Sequence, residues 1–411
     1  MERREFVAAA GAALVMRGTV GQSHRRTVGG RDSPTVRRSD GQTPLLGPEV
    51  FARRQERLRQ ELTTRKLDLF LAAPSTNFLY FTGYNPGRSE RLIALFVPVK
   101  GTPVVLCPSF EVERLKRNAA VPDIRGWEEQ EDPWRLVRKA LDELQPQRGR
   151  GELALEHTFD YASYLRLADV AGNWRIQTAQ PVTERLRIIK YPEEIALIRQ
   201  AIAITEASIA ATFAGLQVGM TERDVAGRLS DDMRSRGAPG GGLVQFGPSS
   251  ALPHGGPSGP KLEREMVVLI DAGSPVDGYA SDITRTIWWG DTPAEEFRKV
   301  FNTVHDAQTA AMQFGKPFLT RCQEMDRTAR KVIADAGYGP FFTHRLGHGM
   351  GMDGHEVPYL VEGNETRLEP GMVFTIEPGI YQLGKFGVRI EDDCLVTETG
   401  LEVLSHRVAK L

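Results

Sequence analysis

MVVLIDAGSPVDGYASDITRTIWW, residues 266–289, decides how the rest of the chain is read. Two runs rich in β-branched and aromatic residues flank a short Pro/Gly turn at Pro275–Gly278, the signature of paired antiparallel strands. Such pairing brings Asp271 and Asp282 side by side, although eleven positions separate them. Further along, three more phrases each carry one ligating residue: His348 in THRLGHGMGMDGHE, Glu377 in FTIEPGIY and Glu391 in FGVRIEDD. Together these five residues supply four carboxylates and one imidazole. Carboxylates gathered in one pocket repel one another, and burying them unpaired is very costly. Two divalent ions cancel that charge. Oxygen donors with one imidazole suit Mn, Co, Fe or Zn, with Mn the first expectation, and water activated by such ions becomes a nucleophile near neutral pH.

Working outward, Lys190-Tyr-Pro-Glu-Glu194 places a proline and acids at a helix start, and Ile195, Ile198, Ile202, Ile209 and Phe213 recur on one face beyond it. A second helix is expected after Thr221, ending at Gly237. Residues 237–260, rich in Gly, Pro and Ser, read as a loop that carries His254. Helices are expected after Thr292-Pro293 and after Arg321. From His344 onward the chain reads as strands and turns, with GMVFTIEPGIY and FGVRIEDDCLVT each a single run. Helices followed by sheet give an α+β domain over 188–411. Upstream, strand-like runs at LDLFLAAP, RLIALFVPV, TPVVLCPS and ELALE alternate with helical patterns and give an α/β domain over 46–187.

The first 45 residues differ in kind. Arg3-Arg4 precede a short apolar run, AAAGAALVM, that is similar to a twin-arginine export signal, followed by a polar tether. The expectation is an exported, periplasmic protein; the alternative is a cytoplasmic one with a basic arm. A net charge of −1 provides no global field to attract nucleic acid. No window of about twenty apolar residues stands out as a membrane span. Cys107, Cys322 and Cys394 are far apart, form no CxxC pair and are expected as buried thiols.

The segment from about Lys190 to Ser405 resembles the catalytic domain of the pita-bread metallopeptidases, which include methionine aminopeptidase, Xaa-Pro aminopeptidase, prolidase and creatinase. The quoted phrases occur in that family's order. NFLYFTGY and RLRIIKYPEEIALIRQA extend the likeness through a creatinase-like N-terminal domain. The resemblance implies that Asp271 binds one ion, Asp282 and Glu391 bridge two, and His348 and Glu377 complete the ligand set of the second ion, with Glu377 also carrying a proton to the leaving nitrogen. It further implies that His254 and His355 contact substrate and stabilise an oxyanion. His344 and Tyr381 also match family positions. Arg389, two residues before Glu391, shares its strand face and either orients substrate, buffers the pocket or simply pairs with a carboxylate. The implied activity is a dinuclear exopeptidase acting on short peptides with proline at the second position, in a homodimer. The alternatives are a metal-dependent small-molecule hydrolase or lyase on the same fold and a non-catalytic peptide-binding module.

Overall fold

The computed structural model describes residues 46–147, 149–256 and 259–411. The expected export leader and tether lie outside the described residues.

The first half is built on a six-stranded mixed sheet. Its strands are β1 (Leu69–Ala72), β2 (Ala94–Pro98), β3 (Val104–Pro108), β4 (Asp123–Trp127), β5 (Gly151–Leu155) and β6 (Trp174–Thr178), in the order β4-β3-β2-β1-β5-β6. The β2 and β3 hairpin is antiparallel, whereas β4, β5 and β6 join as parallel neighbours through helical crossovers. Every residue of β1, β2 and β3 is buried because helices cover both faces, as continuous apolar runs require. Phe70, Leu95 and Val105 face Leu58, Phe78 and Leu186 from helices Pro48–Thr64, Thr76–Thr82 and Gln180–Arg187. Leu69, Leu71 and Phe96 face Trp134, Leu141 and Leu167 from helices Pro133–Glu143 and Tyr161–Val170.

The second half contains β7 (Gly241–Phe246), β8 (Met266–Gly273), β9 (Pro275–Val276), β10 (Tyr279–Ala280), β11 (Ile283–Trp289), β12 (Gly347–Gly349), β13 (Glu356–Leu360), β14 (Val373–Ile376), β15 (Gly379–Gln382), β16 (Phe386–Arg389), β17 (Asp392–Val396) and β18 (Leu401–Val403). They form sheets in the orders β11-β8-β7 and β13-β12-β14-β17-β18, with β9 pairing β10 and β15 pairing β16. Helices Pro192–Ala214 and Glu222–Ser235 pack Ile198, Ile202 and Leu229 on Val268, Ile270 and Ile283. Helices Glu295–Phe314 and Cys322–Asp335 pack Phe297, Val304 and Ile333 on Phe374, Ile376 and Val388. This is the α/β half followed by the α+β half that the sequence implies.

Three readings change. Helix Pro192–Ala214, 23 residues with a mean hydropathy of 1.3 over its most apolar window, is long and apolar enough to span a bilayer. It is instead a core helix, with Leu197, Ile198, Ala201 and Ile202 at most 2% exposed. The Gly-rich segment after Gly237 is not all loop: 241–246 pairs along β8, where glycine permits close approach, since a Cβ on Gly242 would lie 2.3 Å from the Asp271 carbonyl oxygen. Finally, the two C-terminal phrases are each broken into two strands, with consequences for Glu377 and Glu391. All three cysteines are buried free thiols.

Candidate metal centre

Asp271 lies near the end of β8 and faces Thr284 of β11 in an antiparallel ladder. Asp282 directly precedes β11. The small β9–β10 hairpin closes the turn between them, so the pairing expected from residues 266–289 forms.

Glu377 and Glu391 sit at matched interruptions. Ile376 pairs with Asp392 in the β14–β17 ladder, and Gly379 pairs with Arg389 in the β15–β16 ribbon. Between these pairs lie Glu377-Pro378 on one chain and Ile390-Glu391 on the other. Pro378 cannot donate to a ladder, so the pairing has to stop there and resume in a separate ribbon. His348 is in β12 between Gly347 and Gly349. A Cβ on Gly347 would sit 2.0 Å from the Thr375 carbonyl oxygen, and one on Gly349 2.2 Å from that of Val357. Only glycine lets this strand approach both neighbours so closely.

These elements bring all five residues together. Donor atoms of Asp271, Asp282 and Glu391 lie within 4.8 Å of one another, as do those of His348, Glu377 and Glu391. Glu391 therefore belongs to both groups. His348 Nε2 is 3.3 Å from Glu377 Oε1 and 3.7 Å from Asp282 Oδ2. Its Nδ1 lies 3.1 Å from the Gly349 carbonyl oxygen, which fixes the proton on Nδ1 in the neutral ring and leaves a lone pair on Nε2. Asp282, His348 and His355 form a third such group.

Burial, then the charges of Asp271, Asp393 and Glu377, holds the Asp282 carboxyl well above the usual carboxylate range. Burial, then Asp282, does the same to Glu391. Burial pushes Glu377 up to about 7, and burial followed by His355 pushes His348 down to about 3. An imidazole kept neutral, with its free lone pair aimed at carboxylates that resist ionising together, is a donor set that cations complete. The residues present fit divalent metal.

These shifts predict a pH dependence for the metal-free protein. Asp282, Glu377 and Glu391 hold protons more tightly folded than unfolded. Their stabilising contribution is full below the unfolded carboxylate range and is lost as pH rises through the folded values. His344 and His348 behave oppositely: burial pushes them down to about 4 and about 3, so their contribution is present above about 6.5 and lost as pH falls. The two sets offset each other up to about pH 7.5, where unfolded histidine finishes titrating, whereas above it only the carboxylates change. Urea unfolding of metal-free protein should therefore show stability falling as pH rises above about 7.5, carried by Asp282 and Glu391. Most of the roughly 3 kcal/mol in the Glu377 shift is lost at lower pH. Saturating Mn should abolish the fall.

Around the cluster, Arg389 is buried, with Nη2 donating to Asp271 Oδ2 at 2.6 Å, Nη1 to Tyr381 Oη at 2.9 Å and to the Pro253 carbonyl at 3.2 Å, and Nε to Thr284 Oγ1 at 3.0 Å. The carboxylate pairing considered for it is present. Tyr381 Oη in turn lies 2.8 Å from His344 Nε2, whose Nδ1 is 2.7 Å from the Arg345 carbonyl oxygen. His355 is exposed, its ring centroid 3.9 Å from that of His348, with Nδ1 3.3 Å from Arg345 Nη2. His254 is exposed on the loop after β7, and its charge opposes protonation of both His344 and His355.

Two threonines were missed by the sequence reading. Thr284 Oγ1 donates to Glu391 Oε2 at 2.5 Å, and Thr375 Oγ1 donates to Glu377 Oε1 at 3.1 Å while accepting from the His348 amide. Each lies two residues from a ligand, Asp282 or Glu377, a spacing that in extended chain shares a face and is a usable signal. Asp393 was also missed; its Oδ2 accepts from the Asp282 amide at 3.2 Å.

Comparison with known proteins follows the same division. Residues 196–398 match metallopeptidase family M24, and residues 54–189 match the creatinase/prolidase N-terminal domain. An Xaa-Pro dipeptidase of Lactobacillus helveticus is 36% identical over 360 residues, 85% of this chain and 96% of the relative. A crystal structure of recombinant prolidase from Thermococcus sibiricus superposes with a TM-score of 0.81 at 33% identity, covering 88% of this chain and 98% of that one. That of an X-Pro aminopeptidase from Thermotoga maritima gives 0.75 at 30% identity, covering 86% and 99%.

Proposed function

The chain belongs to metallopeptidase family M24 and is a metal-dependent hydrolase, and from that premise we propose that it cleaves the peptide bond before proline in short peptides, using two divalent ions, with Mn preferred. The observation that carries this reading is the convergence of Asp271, Asp282, Glu377 and Glu391 with a neutral His348. Asp271, Asp282 and Glu391 would hold one ion, and His348, Glu377 and Glu391 with Asp282 the other. When bound, the pair supplies Lewis acidity and activated water.

The chain's own residues do the rest. Glu377, with its carboxyl held by Thr375 and its pKa raised by burial, would take the proton of the attacking water and deliver it to the leaving nitrogen. Thr375 and Thr284 fix the orientation of Glu377 and Glu391. His355, exposed beside His348, offers a ring N–H to the oxyanion of the tetrahedral intermediate, and His254 lines the same approach. Arg389 has its guanidinium committed to Asp271, Thr284, Tyr381 and Pro253, so it acts as a positioning residue that also buffers the carboxylates. A cavity of about 620 Å³ lined by Leu252, Pro253, Phe341, Tyr381, Gln382 and Lys385 lies two hydrogen bonds from Asp271, by way of Tyr381 and Arg389, and its apolar side would take the ring of a prolyl residue.

A hydrolysis panel tests this. Xaa-Pro dipeptides and Xaa-Pro-Yaa tripeptides should be cleaved with Mn, and peptides lacking proline should be cleaved at least about tenfold more slowly. The relative rates of the first two assign dipeptidase or aminopeptidase. Cleavage of neither, in protein that carries metal, would replace this reading with a small-molecule hydrolase on the same fold.

A further inference from the structure

The loop that carries His355 is held from the other half of the chain. It runs from Met350 to His355 between β12 and β13. Asp353, two residues before His355, accepts from Thr76 Oγ1 at 2.6 Å and from Arg187 Nη2 at 2.7 Å. Glu356, one residue after it, accepts from Lys190 Nζ at 2.7 Å and also from Arg187 Nη2. Arg187 Nη1 donates to Asn77 Oδ1 at 3.2 Å, and Asn77 Nδ2 donates to Glu156 Oε1 at 3.0 Å, which ties the group to the six-stranded sheet. The side chains of Arg187, Lys190 and Glu356 are 10%, 2% and 9% exposed, so these pairs are shielded from water and salt.

His355 itself has little to hold it. It is exposed, its one hydrogen-bonding neighbour among the described residues is Arg345 at 3.3 Å, and its ring lies against His348. Its backbone, by contrast, is bracketed by charge-assisted bonds at two residues before and one after. The loop also packs directly on the pair below it, because a Cβ on Gly351 would lie 2.5 Å from Glu356 Oε1 and 3.0 Å from Lys190 Cε. The Gly351 carbonyl accepts from the Ala280 amide at 2.8 Å, two residues before Asp282. The loop is thus fastened on one side to the strand turn of the metal cluster and on the other to the first half of the chain.

We propose that Arg187 and Lys190 are positioning residues for His355: the segment joining the two halves reads the docking of the first half, through Thr76 and Asn77, and transmits it to the catalytic loop by way of Asp353 and Glu356. The inference rests on the role assigned to His355 above. Its consequence is that the first half of the chain contributes to turnover through the placement of His355.

The test is a double-mutant cycle on the full chain with an Xaa-Pro dipeptide and saturating Mn, using Arg187→Met, His355→Ala and the pair. Arg187→Met should lower kcat by about tenfold to a hundredfold, since small misplacements of a catalytic group have effects of this size. KM should change by less than about threefold, because the affected interaction forms in the transition state. In the His355→Ala background the same substitution should cost little more. Hydrogen exchange of metal-free protein should show faster exchange confined to residues 350–356. Losses that multiply in the pair, or unchanged exchange in that loop, overturn the proposal while leaving the peptidase reading intact. Full activity of His355→Ala would instead remove the role of His355 and the proposal with it. Should Arg187→Met fail to fold, Thr76→Val and Asp353→Asn, both at partly exposed positions, should give the same pattern at smaller size, and additivity with His355→Ala in either one overturns the proposal equally.

Discussion

Asp282→Asn should fold, lose turnover by on the order of 10³-fold or more, and yet melt at a higher temperature than the unsubstituted chain when both are stripped of metal. The first effect follows from what the side chain supplies. Asp282 is the carboxylate common to the group with Asp271 and Glu391 and the one with His348 and His355, and an amide oxygen cannot replace its charge. Lewis-acid stabilisation is worth several kcal/mol, and each ~1.4 kcal/mol is a factor of ten in rate. The second effect has the opposite sign. Without cations Asp282 is buried beside Asp271, Asp393 and Glu377, which oppose its ionisation. A neutral amide of the same shape can be buried there at neutral pH without first taking up a proton. Its backbone amide still donates to Asp393 Oδ2, so the local structure keeps its anchor. Melting curves with and without Mn report both signs: the variant should start higher and gain little on adding metal. A variant that melts lower in both conditions would mean that Asp282 is a structural residue.

Arg389→Met is expected to have the largest effect on stability, a loss of about 3–5 kcal/mol in metal-free protein, the range for removing one partner of a buried ion pair. Arg389 is 3% exposed and provides the cation nearest Asp271. Its loss also takes a donor from Tyr381, Thr284 and the Pro253 carbonyl, a set that links β16, β11, β8 and the loop bearing His254. With metal bound, the cations replace part of the missing positive charge, so the penalty should shrink. Urea unfolding at neutral pH, with and without saturating Mn, separates the two states. A loss below about 1 kcal/mol in the metal-free state would place Arg389 with ordinary surface ion pairs.

Some of this architecture was legible in the sequence. The ladder between β8 and β11 was, because two short runs rich in β-branched and aromatic residues on either side of a Pro/Gly turn read as a hairpin, and it carried Asp271 and Asp282 with it. The breaks at Glu377 and Glu391 were not. Each phrase alone reads as an uninterrupted strand, and Pro378 at the centre of FTIEPGIY was the one local signal that pairing must stop. Strand β7 was hidden because glycine is normally a mark against a strand, while here it is what allows approach to the backbone at Asp271. The clamp on Asp353 and Glu356 was invisible for another reason. Arg187 and Lys190 lie 166 residues before the acids they meet, and nothing along the chain distinguishes those cations from solvated ones. Local pattern reveals elements and short-range pairings; long-range charge partners emerge only when the elements pack.

The proposed cage for two cations, built by five residues distant in sequence, is tested most directly by elemental analysis of the purified chain after reconstitution with Mn and removal of excess metal. About two ions per chain are expected, with turnover rising as they load, and at most one in Asp282→Asn. A chain that hydrolyses Xaa-Pro peptides at full rate with no bound metal, or that holds its ions equally well without Asp282, would contradict it.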